Sequence, residues 1–337
     1  MKKTAIVMGS ILVAAALVAA GVIVVAQLNQ FAPADKTGSV NVLLTRPAEW
    51  RRIVNAPVVD QAELAMVDGS TATIPISAEL LRQFYGLSDE DVRRSRVIDH
   101  STTHQAYERL IRAEPKYGVG GTDADDLVRL LLVTPPSQAE QAEARDRGVV
   151  LEQTPIARDG FVFITHEDNP VSSLTVDQVR GIYAGQITNW AQVGGIDRPI
   201  VPYQREANSG SQTAMEELVM AGRAMAEPKT TQVAWGMGGL VDAVAEYDQG
   251  PASIGYTYDY YLHNLYRNDD IKVLDIDGVS VNDQTIRSGA YPFVTDYFAV
   301  VRGDEPLDSP ARRLVKFLTS DQGQDVIAMA GYVKAVA

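Results

Sequence analysis

The sequence predicts an α/β fold built as two lobes. Three features predict it. The chain has 337 residues, too many for one small core. Strand-like and helix-like segments alternate along most of it, the pattern of layered α/β folds with mainly parallel sheets. Residues 130–134 and 161–165 are nearly continuous apolar runs, as in strands buried on both faces. In order, residues 62–67 read as a strand running into a turn at Asp68-Gly69-Ser70-Thr71. Ser77 opens a helical pattern with Leu80, Leu81 and Phe84 on one side, and Ser88-Asp89-Glu90-Asp91 reads as a capped helix start. Val97-Ile98 leads into Ser101-Thr102-Thr103 and a helix carrying Ala106, Tyr107, Leu110 and Ile111. Beyond the two apolar strands, helices are expected over 174–183, 209–221 and 240–247, and strands over 200–203, 253–256 and 298–301. Ser309-Pro310 then places an N-cap before a proline at the first helical position. No internal repeat of fixed period is visible.

The formal net charge of -13 argues against nucleic acid and against a polybasic membrane contact, so an anion would have to be held by local donors. With no cysteine there are no disulfides, thiolate metal sites or cysteine nucleophile. The four histidines (His100, His104, His166, His263) are scattered, and no Ser–His–Asp pattern or metal cluster stands out, so no enzyme, metal or cofactor is expected. At the N-terminus, Lys2 and Lys3 precede an uncharged apolar run over about 5–26. A signal-peptide core has roughly 7–15 apolar residues and a spanning helix roughly 17–25. Residues 1–27 are therefore read as a signal peptide or membrane anchor, with 28–57 as a spacer and the rest of the chain outside the cytoplasmic membrane.

The chemistry concentrates in Tyr203-Gln204-Arg205-Glu206-Ala207-Asn208-Ser209-Gly210-Ser211-Gln212-Thr213. A strand ends at Tyr203, a loop carries Arg205, and Ser209 opens a helix whose free N–H groups and dipole suit an anion. Gly210 permits close backbone approach, Ser209 and Ser211 add hydroxyl donors, and Arg205 offers a planar fork for a tetrahedral oxyanion. On spacing alone the same residues also read as an ordinary serine cap beside a surface arginine. Gly69-Ser70-Thr71 and Ser101-Thr102-Thr103 are similar hydroxyl-rich turns, and three such turns can converge on one crevice at the ends of the strands.

Val171-Ser172-Ser173-Leu174-Thr175, Ile182-Tyr183-Ala184-Gly185-Gln186-Ile187-Thr188-Asn189-Trp190, Val193-Gly194-Gly195 and Arg205-x-x-x-Ser209-Gly210-Ser211 together resemble the substrate-binding proteins of phosphate ABC transporters. Gly236-Met237-Gly238-Gly239 and Ile254-Gly255-Tyr256 resemble later segments of the same family. The resemblance implies a periplasmic-binding-protein-like fold of two lobes that close over the ligand by a hinge. It makes 58–158 with 294–337 one lobe and 159–293 the other, with the crossovers at 161–165 and 291–301. It carries the phosphate-binding role to Thr71, Ala72, Thr103, Arg205, Ser209, Gly210 and Ser211. It also implies a monomer that hands phosphate or a related oxyanion to membrane permease subunits. The alternative is a membrane-anchored sensor or adaptor that keeps the binding fold without a transport role.

The sequence departs from the family at one place. Where the family has a carboxylate that accepts a proton from phosphate, this chain has Thr134-Pro135-Pro136-Ser137. Asp68 is the candidate acceptor in its stead, or else it only holds its own turn; Asp126 is a second choice. Residues 116–126, rich in Gly and Asp, read as a solvated insertion, and Tyr256, Tyr258, Tyr260 and Tyr261 as core and cleft-wall packing.

Overall fold

Leu130–Val133 is buried at every residue, and its side chains divide by the two-residue period of a strand. Leu130 and Leu132 enter the main hydrophobic core. Leu131 and Val133 face a second cluster with Ala106, Tyr107, Leu110, Ile111 and Val300. Full burial stabilises each such side chain by about 1.5–3 kcal/mol, which is why this short segment is fixed as a central strand.

The computed structural model describes residues 49–117, 127–246 and 250–335. The expectations for 1–27, for 28–48 and for 118–126, Asp126 included, lie outside these residues. No helix among the described residues is long and apolar enough to cross a membrane.

The strands are β1 (Val67–Gly69), β2 (Leu130–Val133), β3 (Leu151–His166), β4 (Ser173–Leu174), β5 (Val201–Pro202), β6 (Gln204–Arg205), β7 (Val233–Ala234), β8 (Ser253–Tyr258), β9 (Ile271–Ile276), β10 (Val294–Arg302) and β11 (Val333–Lys334). Nine join one sheet with the path β1-β2-β10-β3-β8-β5, and β6 pairs with β7 alone. The sheet is mixed, where mainly parallel sheets were expected. The pairs β1–β2, β4–β9 and β5–β8 are parallel, but β3 and β10 run antiparallel to each other and to the strands they join. β3 is also far longer than the apolar run that announced it. Residues 151–160 pair with β10, and 161–166 pair with β8 and β9. One strand therefore serves two sheet regions, and the partners change between Gly160 and Phe161. At the change the buried Asp159 accepts from Gly160 N at 2.7 Å, Tyr260 N at 3.1 Å and Tyr297 Oη at 2.9 Å.

The helices are α1 (Ile74–Tyr85), α2 (Asp89–Arg94), α3 (Thr103–Arg112), α4 (Gln138–Asp146), α5 (Val176–Tyr183), α6 (Gly210–Ala214), α7 (Gly236–Ala245), α8 (Asp283–Ser288), α9 (Pro310–Leu318) and α10 (Asp321–Met329). Residues 62–67 are mostly a 3-10 turn, Glu63–Met66, and only Val67 onward is strand. Another 3-10 turn, Arg96–Ile98, forms the Val97-Ile98 approach to Ser101. The expected helix over 209–221 is α6 followed by a π-helical turn, Met215–Met220, closed by Ala221 in the left-handed region. Of Met215, Leu218 and Val219, which the apolar pattern turns inward, Met215 and Val219 are buried and Leu218 only partly so; Met220 is buried as well.

Candidate anion-binding site

The first turn leaves β1 at Gly69. A Cβ there would sit 2.1 Å from Leu132 O, so only glycine lets β1 and β2 run this close. Thr73 Oγ1 lies 2.5 Å from Leu132 O and 2.9 Å from Ser70 O and shares its one proton between them, fixing the 3-10 turn Thr71–Thr73 that feeds α1. The N–H groups of Thr71 and Ala72, first in this helical run, have no carbonyl within it to donate to. His100, wholly buried, bonds Ser70 O through Nδ1 and Ser77 Oγ through Nε2, both at 2.9 Å. Burial first, and the nearby Lys116 charge second, lower its pKa to about 4, so the imidazole is neutral at pH 7.

Asp68 ties the first turn to the second. It is fully buried and accepts from Gly69 N and Ser101 N at 2.8 Å, from Ser101 Oγ at 2.5 Å and from Arg109 Nη1 at 3.2 Å. Both of its oxygens are thus committed within the protein, which supports the turn-holding alternative over a proton acceptor for a ligand. In the second turn Thr102 caps α3 by accepting from Gln105 N at 3.3 Å, and Thr103 begins the helix, buried.

In the third turn β6 delivers Arg205, buried, between β7 and the start of α6. Its main-chain N–H donates to Tyr256 Oη at 3.0 Å and Gln212 Oε1 at 3.2 Å. The guanidinium forks onto Glu206, Nε to Oε2 and Nη2 to Oε1 at 2.9 Å each, and Nε also reaches Ala234 O at 3.2 Å. Nη1 makes no hydrogen bond among the described residues. Asn208 takes the left-handed conformation (φ 63) that turns the chain into the helix. Ser209 spends its oxygen as the N-cap, accepting from Gln212 N at 3.2 Å. The N–H groups of Gly210 and Ser211 remain as the free donors of the first turn.

Gly210 is where the turns converge. A Cβ on it would lie 2.3 Å from Thr134 Oγ1 and 2.8 Å from Thr103 Oγ1. Thr134, at the exit of β2, is 1% exposed, and its Oγ1 makes no well-formed hydrogen bond among the described residues, although the Tyr258 hydroxyl is near enough to interact with it. Tyr258 Oη lies beside these groups and donates to Gly210 O at 3.0 Å; burial, then the Asp159 charge, holds its pKa well above that of a free phenol. The structure thus brings together Thr103, Gly210 and Thr134, ties the first turn to the second through Asp68, and links the Arg205 main chain to α6 through Gln212. Sequence reading gave Gln212 no role of its own, met Thr134 only as part of the stretch lacking the family's acid, and took Tyr256 and Tyr258 as core and cleft-wall packing without their hydrogen bonds to Arg205 N and Gly210 O. The alternation of Tyr256 and Tyr258 on β8 was the available signal for the two tyrosines. Chemically, the cluster offers N–H groups, hydroxyls and one guanidinium. The neighbouring carboxylates Asp68 and Glu206 are already paired with Arg109 and Arg205.

Relatives of this chain include proteins named as phosphate-binding. The phosphate-binding protein PstS of Borreliella burgdorferi is 22% identical over 283 residues, covering 83% of this chain and 93% of its own. That of Staphylococcus saprophyticus is 27% identical over 275 residues, covering 79% and 78%. A solved structure from Clostridium perfringens, described as a phosphate ABC transporter substrate-binding protein with bound phosphate, matches with TM-score 0.58 and 25% identity over 80% of this chain and 98% of that one. The fold is accordingly the two-lobed α/β fold of those binding proteins. The family model described as the PBP superfamily domain matches residues 54–322, a span that holds β1 through β10 and all three turns, and the chain belongs to that superfamily.

Proposed function

We propose that this protein captures phosphate, or a closely related oxyanion, outside the cytoplasmic membrane and delivers it to the permease of an ABC transporter. The observation that carries the reading is the convergence at Gly210, where buried hydroxyls from β2 and α3 meet the free end of α6. Backbone and hydroxyl donors aimed from several helix starts, with one arginine held in a carboxylate fork, suit a small tetrahedral anion. The named activity of the relatives supports the same ligand.

In this reading 58–158 with 294–337 form one lobe and 159–293 the other. The change of β3's partners at Gly160 supports the boundary. Closure about this crossing would bring Thr71, Ala72 and Thr103 of one lobe onto Arg205, Ser209, Gly210 and Ser211 of the other. Ser209 acts mainly through its cap. The protein works as a monomeric receptor without turnover and without a cofactor. Titration calorimetry with inorganic phosphate tests this: one anion per chain with no hydrolysis of a phosphate ester is expected. Absence of phosphate binding to folded protein stripped of endogenous ligand would overturn it.

A further inference from the structure

We propose that Thr134 is the specificity-determining residue of this site, and that its hydroxyl makes the protein a receptor for tetrahedral oxyanions whether or not they carry a proton, sulfate as well as phosphate. The inference rests on the anion-binding reading above and names the substrate class of the same site.

Thr134 is held in place from behind, since Tyr107 Oη donates to its carbonyl at 2.9 Å. Its side chain is buried, and Oγ1 lies against the helix start at Gly210, near Thr103 Oγ1 and the Tyr258 hydroxyl, with no well-formed hydrogen bond of its own among the described residues. A buried hydroxyl left unpaired is costly unless something else satisfies it, and an anion seated on the α6 N–H groups would be within its reach. The residues that follow supply no alternative acid. Pro135 and Pro136 carry no ionisable group, and Ser137 is engaged in the capping box of α4 with Glu140.

The neighbouring acids are also excluded from the task. Asp68 accepts four hydrogen bonds from the protein, and Glu206 is forked onto Arg205. No described carboxylate of these turns has a free face toward the anion. A carboxylate can only accept, so it would demand a proton on the ligand and repel a fully deprotonated one. A hydroxyl donates or accepts as the ligand requires. A site that hydrogen-bonds a ligand OH can reject an analogue lacking it by roughly 10⁴–10⁵. With Thr134 in that place the discrimination should shrink to about tenfold or less, the scale of one neutral hydrogen bond.

The test is calorimetric titration of the full chain with sodium phosphate and sodium sulfate, in the natural protein and in the Thr134→Asp and Thr134→Val variants. The natural protein is expected to bind both anions with dissociation constants within about tenfold of each other. Thr134→Asp is expected to weaken sulfate relative to phosphate by at least about a hundredfold. Thr134→Val, which keeps the shape without the hydroxyl, is expected to weaken both. If the natural protein binds phosphate and excludes sulfate, or if Thr134→Val binds both anions as the natural protein does, the inference is overturned while the phosphate-binding reading stands. Binding of neither anion by the natural protein overturns both.

Discussion

Gly210 offers the sharpest test of the geometry, because alanine there should help the helix and hurt the closed site. Alanine is favoured over glycine inside a helix by about 1 kcal/mol, and Gly210 is not among the glycines with a left-handed backbone. The added methyl, however, would lie 2.3 Å from Thr134 Oγ1, where ordinary contacts begin at 3.4 Å. Thr134 is 1% exposed and cannot swing into solvent. Overpacking of this kind costs about 1–3 kcal/mol, or roughly 5- to 150-fold in an equilibrium. Gly210 sits on α6 beside β6 and β8, whereas Thr103 and Thr134 belong to α3 and the end of β2. On the proposed two-lobe reading, parting the lobes would relieve the clash, so the penalty would fall on the form in which Gly210 meets Thr134. Calorimetry on Gly210→Ala should show phosphate affinity reduced by that factor, while the thermal midpoint of ligand-free protein stays level or rises. Undiminished affinity would refute the convergence of the three turns. A lowered ligand-free midpoint with intact binding would show that Thr134 and Gly210 do not part.

Two further perturbations probe the arginine and the strand crossing. Arg205→Ala should weaken phosphate by at least about 1.5–3 kcal/mol, the worth of a charged hydrogen bond, measured by the same titration. Arg205→Lys should recover little of it, because an ammonium cannot hold the Glu206 fork while presenting a further N–H. Asp159 has its pKa raised to about 8, by burial first and then by the Asp259 charge. The folded protein therefore binds one more proton than the unfolded chain between the ordinary carboxyl pKa and about 8. This contribution to stability is fully present below that ordinary value and is lost as pH rises through about 8. Asp159→Asn should flatten that part of the stability profile in urea titrations run from pH 4 to 9. An unaltered slope would place the proton elsewhere.

What the sequence disclosed depended on whether the signal was local. Residues 203–213 hold a strand end, a cap, a glycine and an arginine in one short stretch, so the helix-start anion site could be read directly. β2 was legible because four consecutive apolar residues leave little choice but burial on both faces. The first ten residues of β3 were not legible. They include Glu152, Gln153, Arg158 and Asp159, several of them exposed, and Pro155 sits where the register with β10 shifts. Their strand conformation is imposed by β10, far along the chain, and a proline is tolerated there because the pairing is already irregular. The meeting of Thr134 with Gly210 was hidden for the same reason: in sequence Thr134 follows an apolar strand, and only tertiary contact brings it to Gly210. The π-helical turn Met215–Met220 was invisible because an apolar pattern at helical spacing does not distinguish i→i+4 from i→i+5 bonding.

The double membership of β3 also dictates an order of assembly. Asp159 and the Tyr297 hydroxyl that holds it are 138 residues apart in the chain. During synthesis from the N-terminus, residues 151–160 have no β10 to pair with until nearly the whole polypeptide exists. Closing so long a loop must precede the contacts that repay it, which slows formation of this part of the sheet. The 161–166 half meets β8 and β9 much sooner. The middle of the molecule can therefore organise before its two ends meet, and a truncation anywhere before β10 leaves the first half of β3 as an open edge, a template for aggregation rather than a finished lobe.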